Sequence, residues 1–226
     1  MNIEKKLDNP VWNSLQETHK NHAVTYDEVA FYHPSYCPFG GFIKSHDVMN
    51  SMNAYSQLVD SFYIVGEKPL FSNELTLHNN LICHQMVLKK TIDVAINEEI
   101  VELTTEAQKA ALFDLVNLVQ PGYFNDKTAD LGSYFGIYKA GKLVAVTGER
   151  MKMNEFTEVS AVVTHPEHTG KGYAKQLIKQ TTTHIFNQNK TPYLHVAASN
   201  IGAIKLYEKL GFTTRRKISF WHFKTR

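Results

Sequence analysis

The sequence has few cysteines, no long apolar run and little excess charge. Only Cys37 and Cys83 occur among 226 residues, too few for a disulfide framework or a four-cysteine zinc site. No apolar segment approaches membrane-spanning length, and the first residues lack the apolar stretch of a signal peptide. A net charge of +2 gives no strong field for nucleic acid or an anionic membrane. We therefore expect a cytoplasmic protein that binds neither nucleic acid nor membrane.

The sequence also lacks metal-ligating residues at the spacing of a metal-binding motif. His78, Cys83 and His84 lie close together but lack the spacing of a zinc motif, and residues 82–88 are typical of a strand. Hydrophobic residues make up 43% of the chain and charged residues 20%, which is typical of globular proteins. The composition predicts a folded protein with a buried core and no bound metal.

The first half of the chain mixes helix and strand patterns without a recognisable motif. Ser45 suits the start of a helix whose apolar stripe ends at Val59, and residues 61–65 predict a strand. Residues 32–42 are rich in aromatic residues, proline and glycine. That composition predicts an ordered loop, either walling a pocket or connecting two elements at the surface.

The second half has a more regular pattern. Thr105 and Gln108 form a capping box for a helix, and Gly211 suits the end of another. The predicted order is strand, helix, three strands, helix, strand, helix, strand, which indicates an α/β fold with a mixed, mostly antiparallel sheet flanked by helices. We place the boundary between two regions near residue 98. Residues 1–98 then form a smaller α/β region and residues 99–226 the main domain.

A glycine turn in the second half has the properties of an anion site. The turn, residues 169–174, follows a strand and begins a helix. Gly170 and Gly172 let backbone N–H groups approach a ligand, and the helix start adds about half a positive charge from its dipole. Lys171 and Lys175 lie where their ammonium groups could add to the attraction.

Two other nucleotide motifs use such turns, and neither fits. A phosphate loop needs a hydroxyl residue after its lysine, whereas Lys171 is followed by Gly172. A dinucleotide fingerprint needs a third glycine where Lys175 stands and an acidic residue near the end of the next strand, residues 193–197. A plain turn without a ligand is the remaining alternative.

Several motifs together resemble the GNAT superfamily of N-acetyltransferases. They are the strand at residues 158–163, the His165-Pro166 step, the turn at 169–174 and the pattern over 200–212. Within that superfamily, residues 148–162 look like the branch that resembles the carboxy-terminal domain of glycine N-acyltransferases. The resemblance implies a GNAT-like sheet over residues 100–226.

The resemblance also implies acetyl-CoA as the cosubstrate. Family members pair the pantetheine arm with the end of a strand, which corresponds to Val162, Val163 and Thr164 here. Asn200 matches the asparagine that bonds the pantetheine amide region, and it also suits a helix cap. Thr169 stands where the family more often has glutamine or arginine. The pyrophosphate is then expected on Thr169, Gly170, Lys171, Gly172, Tyr173, Ala174 and Lys175.

Catalytic residues follow from the same resemblance. Tyr207 matches the tyrosine that faces the CoA sulfur and reprotonates the leaving thiolate, although a core aromatic on the helix stripe is the alternative. An unperturbed lysine-like amine has a pKa of about 10.4, so a base should help to remove its proton. His195 stands where some members carry a glutamate base, and Glu149 and Glu158 are the alternatives.

The expected function is direct acetyl transfer to a primary amine, carried by a small molecule or a peptide, in a ternary complex. A covalent route is disfavoured because residues 99–226 contain no cysteine. A CoA-binding sensor without catalysis and a transferase of longer acyl or aminoacyl groups are the alternatives. The first half could be a degenerate acetyltransferase-like lobe, and the sequence leaves room for a homodimer.

Overall fold

The computed structural model describes residues 3–43 and 48–226. Within these residues the strands are β1 (Ala23–Tyr26), β2 (Val29–Tyr32), β3 (Phe39–Phe42), β4 (Ser61–Val65), β5 (Leu75–Val87), β6 (Val101–Glu102), β7 (Tyr134–Lys139), β8 (Lys142–Lys152), β9 (Phe156–Thr164), β10 (Thr191–Ala197) and β11 (Thr213–Thr225). The α-helices are α1 (Pro10–Gln16), α2 (Val48–Ser56), α3 (Glu106–Val119), α4 (Tyr173–Asn187) and α5 (Ile201–Lys209).

All of these strands belong to one mixed sheet. Its order is β1-β2-β3-β4-β11-β5-β10-β9-β8-β7-β6. The pairs β3–β4 and β9–β10 are parallel, and the other neighbours are antiparallel. The predicted fold class and the element order from β6 to β11 are therefore confirmed. Because β5 lies between β10 and β11, strands from both sides of residue 98 share the sheet, and the division at that residue stays a prediction.

The helix signals of the second half correspond to real caps. The Thr105 hydroxyl accepts a hydrogen bond from the Gln108 backbone N–H, and the Gln108 side chain accepts one from the Thr105 N–H, so the capping box that begins α3 is confirmed. After α5, Gly211 adopts a φ of +94°. This left-handed conformation costs glycine little, and it ends the helix as predicted.

The predicted loop over residues 32–42 is wrong at both ends. Tyr32 ends β2, and Phe39–Phe42 forms β3, in which all four residues are buried. A Cβ at Gly40 would overlap the ring of Phe31, so this glycine serves close packing inside the sheet. Glycine and proline therefore gave a misleading loop signal. Ser45, the predicted cap of α2, lies outside the described residues.

Apolar packing holds the helices against the sheet. Ile178 and Ile185 of α4 and Ile204 and Tyr207 of α5 belong to one buried cluster with residues of β9 and β10. This cluster fixes α5 beside the ends of those two strands. In the described part of the chain, no helix is both long enough and apolar enough to span a bilayer.

Candidate active site

The sheet opens between β9 and β10. These parallel strands pair only at their beginnings, and the last pair joins Glu158 to Tyr193. Beyond that pair, a cavity of about 200 Å³ lies between residues 158–162 and 195–197. Ala161 has a φ of +50°, and the register of β9 with β8 shifts at the same place. This bulge re-aims the backbone beside the cavity.

A buried ion pair forms one wall of the cavity. Glu158 accepts hydrogen bonds from Arg150, with Nε–Oε2 and Nη2–Oε1 distances of 2.8 and 3.1 Å. Their side chains are 1% and 12% exposed. Burial alone would raise the pKa of Glu158, but the charge of Arg150 and a hydrogen bond from His195 lower that pKa to about 2. Glu158 is therefore ionised, and both of its oxygens are engaged.

His195 connects this ion pair to β5. Its Nδ1 lies 2.8 Å from Oε1 of Glu158, and its Nε2 lies 3.1 Å from Nε2 of Gln85. The Gln85 amide is oriented by two other bonds, because its nitrogen donates to the carbonyl of Leu7 and its oxygen accepts from Arg215. Gln85 therefore presents an N–H to the imidazole, which assigns the proton to Nδ1 and makes Nε2 an acceptor.

Helix α5 borders the opposite side of the cavity. Asn200 caps the helix by accepting a hydrogen bond from the Ala203 N–H at 3.1 Å, and it also lines the cavity. Tyr207 lines the cavity about two turns after Asn200, and burial raises its pKa to about 12. Among the described residues, no hydrogen-bond partner contacts its hydroxyl. The hydroxyl is thus protonated at neutral pH and free to donate to a ligand.

The remaining lining is mostly apolar. Cys83 also faces the cavity, and burial raises the pKa of its thiol to about 12, so it is a poor nucleophile. Burial also raises the pKa of Cys37. The ring of Phe39 lies beneath the Arg150 guanidinium, 4.7 Å from its carbon atom to the ring centroid. The apolar side chains of the lining also include Leu81, Val116, Tyr123, Phe124 and Phe220.

A second depression, of about 390 Å³, surrounds the glycine turn. Gly170 and Gly172 both have a φ of +76°, which favours glycine strongly over other residues. Apart from its two chain neighbours, no described residue has a heavy atom within 4 Å of the place that a Cβ at Gly170 would take. Open space, N–H groups at the start of α4 and two lysines fit a diphosphate. Thr164, His168, Thr169, Lys171, Tyr173, Ala174, Lys175 and Leu206 complete its lining.

The structure brings most of the sequence-predicted residues to these two cavities. Val162, Glu158, His195, Asn200 and Tyr207 line the first, and Thr164 with residues 169–175 lines the second. Helix α5 borders both, through Tyr207 on one side and Leu206 on the other.

Val163 and Glu149 line neither cavity. Val163 is 3% exposed and packs in the apolar cluster beneath α3. Glu149 is buried, accepts a hydrogen bond from Lys152 Nζ at 2.6 Å and lies 3.8 Å from Nε2 of His184. The described residues contain no group of three or more metal-ligating side chains.

Sequence reasoning missed Arg150, Gln85 and the aromatic wall. Arg150 had a signal in the sequence, since it follows the apolar first half of β8 and stands one hairpin away from the acidic Glu158 of β9. Opposite charges inside two adjacent buried strands predict an ion pair. Gln85 and Phe39 had none, because their place in the cavity depends on the distant strands β5 and β3.

Comparisons with known proteins found a family model, a curated protein and solved structures that are similar to parts or all of this chain. Residues 134–221 match the family model described as FR47-like protein. A spermidine N(1)-acetyltransferase from Vibrio cholerae is 44% identical over 54 residues, which are 23% of this chain and 31% of that protein. This chain thus matches only about a third of the length of that curated relative.

Two solved structures extend the likeness to the whole chain. A candidate acetyltransferase of the GNAT family from Novosphingobium aromaticivorans has a TM-score of 0.89 and 28% identity, covering 97% of this chain and 98% of its own. A GCN5-related N-acetyltransferase from Kribbella flavida has a TM-score of 0.67 at 13% identity, covering 100% of this chain and 96% of its own. The second likeness concerns the fold alone.

Proposed function

We propose that this chain, a member of the GNAT family of N-acetyltransferases, transfers an acetyl group from acetyl-CoA directly to a primary amine in a ternary complex. One observation carries the proposal. Helix α5 borders both the glycine turn, through Leu206, and the cavity between the parted strands, through Tyr207. A coenzyme whose diphosphate lies at the turn would therefore extend its thioester past Asn200 towards Tyr207.

In this proposal, backbone groups make most of the contacts with the coenzyme. The N–H groups around Gly170 and Gly172 hold the diphosphate, and Lys171 and Lys175 add positive charge. The Thr169 hydroxyl donates to the carbonyl of Pro166 at 3.2 Å, so this side chain supports the turn from within. The strand end from Val162 to Thr164 offers its free edge to the pantetheine arm.

Tyr207 is the residue we assign to the leaving sulfur. The coenzyme supplies the acetyl thioester, and the Tyr207 hydroxyl donates a hydrogen bond to the sulfur as it becomes a thiolate. Its raised pKa keeps the proton in place until that charge develops. Cys83 takes no acetyl group because its thiol is not ionised at neutral pH.

The amine proton has no free side-chain acceptor at the ion pair. Glu158 is bonded by two partners and has a pKa of about 2, and the Nε2 lone pair of His195 accepts from Gln85. We therefore propose that these two residues shape the site and that water carries the proton away. Glu149 receives no role in this proposal.

Calorimetric titration with acetyl-CoA, followed by free-thiol release, tests the proposal. The amine panel should contain monoamines, polyamines, amino acids and peptides, and a set of longer acyl thioesters tests donor length. Absence of acetyl-CoA binding contradicts the proposal. Tight binding without turnover on any amine favours the sensor function instead. The cytoplasmic location, the homodimer and the glycine N-acyltransferase branch stay predictions.

A further inference from the structure

The charges that line the cavity between β9 and β10 are unusual for a site that binds a polyamine. Among the described residues of the lining, Glu158 is the single carboxylate. Both of its oxygens accept hydrogen bonds from Arg150, and one accepts from His195 as well. The cavity thus contains no anionic group that is free to pair with a ligand cation.

Arg150 makes the cavity still less suitable for a second cation. Its Nε and Nη2 atoms bond Glu158, whereas its Nη1 atom has no partner among the described residues. The guanidinium lies over the Phe39 ring, with 12% of its side chain exposed at the cavity. An ammonium group placed here would be repelled by the Arg150 guanidinium, and the face of the Phe39 ring is already covered by that guanidinium.

The rest of the lining favours an apolar ligand body. Phe39 and Tyr123 are stacked with ring centroids 6.3 Å apart, and Phe39 meets the Phe220 ring edge to face at 5.7 Å. Phe124 and Leu81 extend this surface. Such rings offer large apolar contact areas to an apolar ligand. A charged ligand segment placed against them would lose its hydration without gaining a polar partner.

We infer that the acceptor is a monoamine with an apolar, preferably aromatic, body and that the cavity excludes amines with a second positive charge. This inference rests on the proposed function. It sets this protein apart in substrate class from the curated relative named for spermidine. The reacting amine lies towards Tyr207, and the apolar body lies on Phe39, Tyr123 and Phe220.

A matched pair of amines tests the inference on the full chain. Hexylamine and hexamethylenediamine have the same carbon chain and differ only in the second amine. With acetyl-CoA saturating, we expect kcat/KM to be at least about tenfold higher for hexylamine, because the second ammonium would lose its hydration without gaining a partner. Phenethylamine should be at least as good as hexylamine. An equal or higher kcat/KM for the diamine overturns the inference.

A gain-of-function variant tests the charge argument itself. Gln120 is exposed at the end of α3 and lines the cavity, so Gln120→Glu adds a carboxylate at the rim without burying it. We expect this variant to raise diamine activity relative to hexylamine several-fold. Leu118→Glu is the control, since it adds the same charge to the same helix at a 62% exposed position outside the lining. An unchanged ratio in Gln120→Glu, or an equal shift in Leu118→Glu, overturns the argument.

Failure of the inference can be distinguished from failure of the proposed function. If acetyl-CoA does not bind in calorimetry, the proposed function fails. If it binds but no amine is acetylated, binding of the two amines to the CoA-loaded protein decides the inference. Tighter hexylamine binding supports it there, whereas tighter diamine binding, or no binding of hexylamine and phenethylamine, overturns it.

Discussion

Nδ1 of His195 lies 2.8 Å from Oε1 of Glu158, and the proton between them belongs to the imidazole. Gln85 fixes this arrangement from β5 by donating to the other ring nitrogen. Strand β10 is thereby bonded through side chains to β9 on one side and to β5 on the other, at the point where the β9–β10 pairing ends. The polar cluster holds the parted strands at a fixed separation, which keeps the cavity open.

Removing the Tyr207 hydroxyl should slow acetyl transfer without weakening coenzyme binding. The hydroxyl has no protein partner to lose among the described residues, so Tyr207→Phe removes only its interaction with the leaving sulfur. We expect kcat to fall about 10²-fold, the lower end of the usual range for such a group. Steady-state kinetics and acetyl-CoA calorimetry measure the two effects. An unchanged kcat would show that the tyrosine serves only as a core aromatic.

Adding a methyl group at the glycine turn should weaken acetyl-CoA binding. Gly170→Ala places a side chain on a backbone with φ of +76°. If the backbone keeps this conformation, the variant loses about 1–2 kcal/mol of stability. If the backbone relaxes, the N–H groups of the turn move. Gly141→Ala is the matched control. It has the same φ and equally open surroundings, but it lies in the β7–β8 hairpin.

Both glycine variants should therefore lose similar stability in urea unfolding, while only Gly170→Ala raises the calorimetric Kd for acetyl-CoA. Equal Kd values for the two variants would remove the glycine turn from the coenzyme site.

The sequence predicted the elements that are specified locally. The capping box of α3, the Asn200 cap and Gly211 each depend on residues within one turn of helix, so their chemistry is visible in the sequence. The true length of β8 was not visible, because Glu149, Arg150 and Lys152 look like the polar end of a strand. They stay inside it because Glu149 and Lys152 form an ion pair within the strand and Glu158 of β9 neutralises Arg150.

The cavity that we propose for the acceptor could not be predicted from the sequence for a related reason. Phe39, Gln85 and Phe220 reach the cavity from β3, β5 and β11, which are far apart in the chain. Residues that become neighbours through the strand order of a sheet cannot be recognised from their spacing in the sequence. The depression that we propose for the coenzyme, in contrast, is lined mainly by Thr164 and residues 168–175, which lie close together in the sequence and could be predicted as one motif.

Stability should decrease on mild acidification because of His19. Its Nε2 donates to the Leu131 carbonyl at 3.0 Å, and its Nδ1 lies 2.8 Å from the Tyr32 hydroxyl. Burial, with a smaller contribution from the charge of His22, lowers the pKa of His19 from 6.5 to about 3. The unfolded chain therefore binds a proton at higher pH than the folded one. The stabilisation is complete above pH 6.5 and is lost as pH falls towards 3.

This residue alone should contribute a slope of about 1.4 kcal/mol per pH unit to the free energy of unfolding. The range from pH 6.5 to 4.5 isolates it from Glu158, whose usual pKa is 4.5. We expect His19→Gln to be less stable at pH 7 but to show a shallower slope over that range, measured by urea unfolding at several pH values. Parallel slopes in the two proteins would contradict the buried, neutral state of His19.

Removing one partner of the Arg150–Glu158 pair should cost more stability than the removal of both partners would suggest. Glu158→Gln leaves the Arg150 guanidinium buried without a counter-charge, and we expect a loss of about 3–5 kcal/mol in the free energy of unfolding. Arg150→Met leaves an uncompensated carboxylate and should cost as much. The double variant removes both charges together, so its loss should be clearly smaller than the sum, with a coupling energy of up to about 3 kcal/mol.

The same cycle on Lys109 and Asp130 provides the control. That pair is 2.7 Å apart but 30% and 42% exposed, so its variants should change stability by less than about 1 kcal/mol. Additive losses for Arg150 and Glu158 would show that the two charges do not depend on each other. The cavity wall would then be held by His195 and Gln85 alone, and an acceptor cation could compete for the carboxylate. The cycle therefore tests, through stability alone, whether Glu158 is available to a substrate.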